Sequence, residues 1–271
     1  MKVEYNPNVC ISFGITMQRM SNVVVQGNYH WIGGSVRADK ALAMASKFDQ
    51  KWGLSQSKDQ RYRRRKNGEA TFRFFLYPQF EGGFLDWFLL RTDGTHPSMD
   101  SEQWRRVDDA RSRIIWRGYE LIQLPYTKAQ RDAFKASGRQ VGTKSWTWQM
   151  SAEYETYLRK RIRSAVGQEK ASNGRNLQLF SQVLHALNRA PCHRGVRSQI
   201  YDLRKYVNQC RRRAGLASYD FGIPIPWMGG RKCREYPLSV LVFRVLNGEE
   251  TWFPPATRGT ARGVFARISG E

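Results

Sequence analysis

The chain has 271 residues, enough for one or two domains with a sizeable buried core. Lys and Arg number 45 against 23 Asp and Glu, a formal charge of +22. Self-repulsion on that scale excludes a cationic partner and predicts a polyanionic one, nucleic acid before an anionic membrane, since no basic amphipathic helix stands at a terminus.

Cys10, Cys192, Cys210 and Cys233 are scattered without a C-x-x-C pair, so reduced thiols and no disulfide framework are expected. Cys192, His193, Cys210 and His185 match no familiar zinc spacing, and no metal or cofactor is expected. There is no apolar signal core, and no apolar run approaches the ~20 residues that span a bilayer. A soluble, cytoplasmic protein follows as the expectation.

Val9–Thr16 reads as a short apolar strand. Ser35 can cap a helix to about Trp52, with Ala41, Ala45, Phe48 and Trp52 on one face and Arg37, Lys40, Lys47 and Lys51 opposite. Between strand and helix, glycines flank Tyr29, His30 and Trp31, which predicts a sharp turn projecting two rings and an imidazole. Thr71–Tyr77 and Phe84–Leu90 are aromatic-rich strands separated by Pro78 and the Gly82–Gly83 pair. Ser98, Asp100 and Glu102 suit the start of a second helix to about Arg111, and Ile114–Ile122 reads as a fourth strand. This is the order β-α-β-β-α-β, a ferredoxin-like α+β unit with two helices on one sheet face and the other face free, commonly for single-stranded RNA.

Arg61, Tyr62, Arg63, Arg64, Arg65 and Lys66 put five cations and one ring into six residues, read as a loop ending at Asn67–Gly68. Such a cluster cannot enter a core, and phosphates would relieve its repulsion. Tyr126–Thr143 is a polar connector and the candidate domain boundary. Ser145–Met150 follows as a strand. Ser151 caps a helix to about Val166, with Tyr154, Leu158, Ala165 and Val166 inward and Arg159, Lys160 and Arg163 outward. A helix from Leu177 to Asn188 leads to one from Val196 to about Arg213.

In that last helix Val196, Ile200, Leu203, Val207 and Cys210 form a packing stripe. Arg197, Tyr201, Arg204, Asn208 and Arg211 share another face, with Lys205, Arg212 and Arg213 beside them, a pattern suited to tracking phosphates and stacking a base. The tail adds Arg231, Lys232 and Arg234, a β-branched strand at Leu238–Leu246, a turn at Asn247–Gly248 toward Thr251–Phe253 and a strand at Gly263–Ser269. Between these stand Arg258 and Arg262, each followed by glycine. The expected domains are 1–125 (ferredoxin-like), 126–216 (helical, basic) and 217–271 (a C-terminal β-hairpin segment on the sheet).

Motifs for nucleotide triphosphates, serine hydrolysis and zinc proteolysis are missing, and carboxylates are sparse, which disfavours two-metal nuclease chemistry. RNA can instead be cut by its own 2′-hydroxyl, given a base, an acid and cations on the phosphate. His30 is the candidate base, and Arg19, Arg37 and Arg244 are the candidates for charge stabilisation.

A ferredoxin-like first half, a basic helix, an arginine-rich helical excursion and the Arg258–Gly263 turn together resemble the CRISPR RNA-processing endoribonucleases of the RAMP superfamily. The nearest likeness is the plasmid-borne type IV version with its α-helical finger. That resemblance implies a metal-independent endoribonuclease that cuts the repeat hairpin of precursor CRISPR RNA. It also implies retention on the product with other protein subunits in an effector ribonucleoprotein, in antiviral defence. Two alternatives stay open. One is a non-enzymatic DNA-binding protein of a plasmid or mobile element, with Leu177–Asn188 and Val196–Arg213 as a helix-turn-helix. The other is a catalytically silent RNA-binding subunit of the same superfamily.

Overall fold

The computed structural model describes residues 5–79, 82–138, 140, 142–222, 225 and 233–247. In chain order the first elements are β1 (Asn8–Cys10), α1 (Phe13–Val25), β2 (His30–Arg37), α2 (Ala38–Trp52), α3 (Lys58–Lys66), β3 (Phe72–Pro78), β4 (Phe84–Arg91) and β5 (Arg105–Arg106). There follow β6 (Ile115–Trp116), β7 (Tyr119–Pro125), α4 (Lys128–Ala136), β8 (Lys144–Met150), α5 (Ala152–Ala171), α6 (Gln178–Arg189) and α7 (Arg194–Arg213). Last come β9 (Glu235–Pro237) and α8 (Leu238–Leu246). The chain is α+β with antiparallel sheets, in two compact units. One holds the described residues up to Ile114 together with 233–247; the other holds Ile115 to 225.

In the first unit the strand order is β3-β4-β2-β5. Because β4 runs antiparallel to both β2 and β3, those two are parallel with β4 between them. The α2–α3 segment is therefore the crossover of a split βαβ unit. Ala41, Ala45 and Trp52 of α2 are fully buried, and Phe48 sets its ring edge-to-face against Phe74 and Trp87. Gly53, at φ 64°, ends the helix in the left-handed conformation glycine adopts without strain.

Several expected elements differ. The first strand stops at Cys10, and Phe13, Met17, Met20 and Val24 fall on one helical face, burying Met17, Met20 and Val24 in α1. The strand of the split unit is β2 instead, so Ser35 is a strand residue and Arg37 occupies the N-cap of α2. Only a 3-10 turn, Met99–Ser101, replaces the helix over 98–111. Trp104 then turns inward against Trp52 and Phe72, which leaves the two-residue β5 to close the sheet. Ile114–Ile122 is not one strand but the β6–β7 hairpin, turned by Arg117 and Gly118, both at positive φ.

Leu238–Leu246 is helix α8 rather than a strand. Leu238, Leu241 and Val242 share a core cluster with Ala38, Ala41 and Ala45 of α2, and packing overrides the β-branched composition. The sheet face away from α2 is not free either. Trp31, Tyr77, Phe88 and Leu90 lie on it by register and are buried, and Phe13 of α1 meets Tyr77 edge-on. The cysteine expectation also fails: β1 pairs with β9, and Cys10 is disulfide-bonded to Cys233, their Cα atoms 6.0 Å apart. Cys192 and Cys210 are buried and form no disulfide. The strands expected at Thr251–Phe253 and Gly263–Ser269 lie outside the described residues.

The second unit begins before the expected connector, since β7 and β8 pair along Tyr119–Pro125 and Lys144–Met150 with α4 in the link between them. Helix α7 lies against β8 so closely that a Cβ on Gly195 would sit 2.5 Å from the Trp148 carbonyl oxygen. Gln199 fastens the contact: Met150 N donates to its Oε1 at 2.6 Å, and its Nε2 donates to Met150 O at 3.0 Å. Val196, Ile200, Leu203, Val207 and Cys210 are all buried, with Leu158, Ile162, Phe180, Val183 and Leu187 from α5 and α6 in the same unit's core.

Candidate nucleic-acid interface

The cation cluster 61–66 is helical, and its start is specified locally. Ser57 Oγ accepts from Gln60 N and Gln60 Oε1 accepts from Ser57 N, a reciprocal cap that was present in the sequence as S-x-x-Q. Arg61 donates to Gln56 O and Arg64 pairs with Glu69 at 2.6 Å, so two of the guanidiniums serve the fold. Tyr62, Arg63, Arg65 and Lys66 are exposed, as is Lys58. Arg73 on β3 has its pKa lowered by burial first and then by the charges of Arg61 and Arg65. Cations crowd here enough to oppose one another, which an anion would relieve.

On α7 the arginine face does something the sequence did not suggest. Arg197 donates to Ile225 O (3.4 Å), Arg204 stacks on Phe221 (4.9 Å), Asn208 exchanges two hydrogen bonds with Tyr219, and Arg211 Nε donates to Ala217 O (2.7 Å). Four side chains of one helical face hold a returning strap (217–222 and 225), whose contacts run in the order opposite to the helix. Arg211 also pairs with the buried Glu169 of α5. Arg197, Arg204 and Arg211, expected to meet phosphate, each hold a protein partner: strap carbonyls for Arg197 and Arg211, and the Phe221 ring with Asn188 Oδ1 for Arg204. Tyr201, Lys205, Arg212 and Arg213 remain exposed, Lys205 lying over the Tyr201 ring at 4.3 Å.

Helix α5 adds exposed Arg163 and half-buried Arg159, which pairs with Glu155 at 2.7 Å and stacks on Tyr206 at 4.9 Å. Arg159, Asp202, Lys205, Tyr206, Asn208, Gln209, Arg212 and Ser218 line a cavity of about 540 Å³. The sequence also missed Arg194. Its guanidinium donates to Leu124 O, Pro125 O and Gln130 Oε1 at 2.8–3.1 Å, and burial lowers its pKa.

The four catalytic candidates do not converge. His30 and Arg37 stand at opposite ends of β2, about 23 Å apart along a strand. Arg37 pairs with Asp39 at 3.1 Å, Arg19 pairs with Glu235, and Arg244 lies in the last turn of α8. His30 lies in a small charged group: its Nε2 is 2.7 Å from Asp93 Oδ1, and Arg106, paired with Asp108 at 2.8 Å, reaches within 4.0 Å of Asp93. A carboxylate that orients an imidazole beside a guanidinium can move a proton and stabilise a phosphate. Asp93 and Arg106 were invisible in the sequence because only the β2–β5 register brings Arg106 opposite His30. Arg231, Arg258 and Arg262 lie outside the described residues.

Among the described residues no group of three or more His, Cys, Asp or Glu side chains could hold a metal, and no helix is long and apolar enough to cross a membrane. The fold and surfaces thus define an α+β chain with cationic, ring-bearing helices. No protein-family model, curated protein or solved structure matches it.

Proposed function

We propose that this protein binds structured RNA and cleaves it without a metal, as the repeat-processing endoribonucleases of CRISPR systems do. The observation that carries the binding half is α3, where Tyr62, Arg63, Arg65 and Lys66 are exposed within two helical turns. A ring among cations can stack on a base while the cations meet the backbone. In the cleavage half, His30, oriented by Asp93, takes the proton of a 2′-hydroxyl. The oxygen attacks the adjacent phosphorus as the bond to the 5′-oxygen breaks, that oxygen takes a proton from water, and a 2′,3′-cyclic phosphate remains, with Arg106 near the developing charge. The product stays bound as part of a cytoplasmic effector ribonucleoprotein with other subunits.

Duplex DNA reading by α7 is less well supported. The first turns of that helix, where a recognition helix meets bases, have Gly195 and Val196 buried and Arg194 and Arg197 bonded to backbone carbonyls of the unit. A catalytically silent RNA-binding subunit differs from the main reading only in the cleavage half.

One gel separates these readings. A repeat hairpin incubated in EDTA should be cut, and a deoxy substitution at the scissile nucleotide should stop it. Cleavage that needs a divalent metal sinks the mechanism, binding without cleavage identifies the silent subunit, and equal affinity for duplex DNA favours the DNA-binding reading.

A further inference from the structure

The α5–α7 cavity is more specific than a charged surface requires. Asp202, Lys205, Gln209 and Arg212 recur every three or four residues, so one face of α7 supplies two cations, a carboxylate and an amide to the same space. From α5, Arg159 lays its guanidinium on the Tyr206 ring at 4.9 Å and is steadied there by Glu155. The strap supplies Ser218 to the lining, next to Tyr219, which Asn208 clasps. At about 540 Å³ the space falls in the range of small-molecule sites, roughly 300–1,000 Å³.

We infer that this cavity seats one phosphorylated nucleoside unit, a nucleotide of the bound RNA splayed out of its helix. The inference rests on the RNA-binding reading and says where a single nucleotide goes. Lys205 and Arg212 suit the phosphate, and the Arg159–Tyr206 pair offers flat surfaces for a base. Asp202 separates this ligand from a simple anion. A carboxylate repels a bare phosphate, but it accepts hydrogen bonds from a base that brings N–H donors at a distance from its phosphate. A helix that met only the outside of a duplex would have no use for an amide and a carboxylate converging with two cations on one open recess.

The full-length protein is titrated with the four nucleoside 5′-monophosphates and with inorganic phosphate, by calorimetry or ligand-observed NMR. At least one monophosphate should bind tenfold or more tightly than phosphate, and Lys205→Ala/Arg212→Ala should abolish it with unchanged melting. Arg63→Ala/Arg65→Ala on α3 should leave it untouched. Should the double variant melt early, Asp202→Asn serves instead, and it should change the rank order of the four bases. No monophosphate binding, binding retained in the double variant, phosphate as tight as nucleotide, or an unaltered rank order overturns the site. Hairpin affinity in the same samples keeps the two readings apart. Loss of hairpin binding in the α3 variant without nucleotide binding removes this site alone, whereas nucleotide binding without hairpin binding removes the RNA reading and leaves the site.

Discussion

Arg211 of α7 and Glu169 of α5 are paired inside the helical unit, with side chains only 10% and 9% exposed. The guanidinium also lies over Phe180 at 4.9 Å and donates to Ala217 O, so one side chain joins α5, α6, α7 and the strap. Removing either partner strands a buried charge. Arg211→Ala or Glu169→Ala should cost about 3–5 kcal/mol in denaturant unfolding of this unit, and Arg211→Met with Glu169→Met should recover most of it. A loss under about 1 kcal/mol for the single changes would show that the pair is solvated.

Asn208 meets both the N–H and the carbonyl of Tyr219, at 2.8 and 3.1 Å. Asn208→Ala should leave those groups without their partner and loosen the strap at a cost of about 1–3 kcal/mol. Faster hydrogen exchange at Ser218–Phe221 with unchanged exchange in β7 and β8 is the expected signature. Uniform acceleration across the unit would contradict a local clasp.

The exposed cations of α3 are separable from those that brace it. Arg63→Ala/Arg65→Ala/Lys66→Ala should weaken hairpin binding and flatten the log–log salt dependence by about 2–3, near 0.7–0.9 per lost phosphate contact. Arg204→Ala, which removes a strap contact, should leave that slope unchanged. The reverse pattern would put the main phosphate contacts on the Arg197, Arg204 and Arg211 face of α7.

Cys10 and Cys233 are 223 positions apart in sequence. Cys10→Ser, or a reductant on the wild type, should destabilise the first unit by about 2–5 kcal/mol while the helical unit unfolds as before. A reductant without effect would mean that the β1–β9 pairing holds by itself.

His96 is enclosed by Trp52 and Phe72, with ring centroids at 5.1 and 5.0 Å. Burial first, then the charge of Arg64, lowers its pKa from the ordinary histidine value of about 6.5. A base with a depressed folded pKa binds its proton more readily when unfolded. The stability it contributes is therefore present above pH about 6.5 and lost as pH falls from there through the folded value. The first unit should melt earlier at pH 5 than at pH 7, and His96→Phe should shrink that difference; an unchanged difference would assign it elsewhere.

Helices α2 and α7 and strands β3, β4 and β8 could be read from the sequence because each carries a period that its own packing partner uses. Val196, Ile200, Leu203, Val207 and Cys210 are a stripe in the sequence and a seam in the fold. Helix α8 was harder: seven of the nine residues in Leu238–Leu246 are apolar, and exposed Val240, Phe243 and Leu246 blur the stripe of Leu238, Leu241, Val242 and Val245, so β-branched composition pointed the wrong way until α2 supplied a surface. The candidate site was only half readable. Charge marked α3 and α7, but whether a guanidinium meets solvent or a carbonyl is decided by which loop returns over it, and nothing local in Arg204 or Arg211 announces the strap. His30 stood out by its neighbours in sequence, whereas Asp93 and Arg106 became its neighbours only across strands.

The first unit is made of two lengths of chain separated by the helical unit, and β9 and α8 are translated after that unit's described residues. On the ribosome the helical unit can fold as soon as it emerges, while α2 waits with Ala41 and Ala45 uncovered until Leu238, Leu241 and Val242 arrive. A truncation ahead of Cys233 should therefore leave the helical unit intact and the split sheet prone to aggregate, so the order of synthesis, as well as the order of strands, governs how this protein matures.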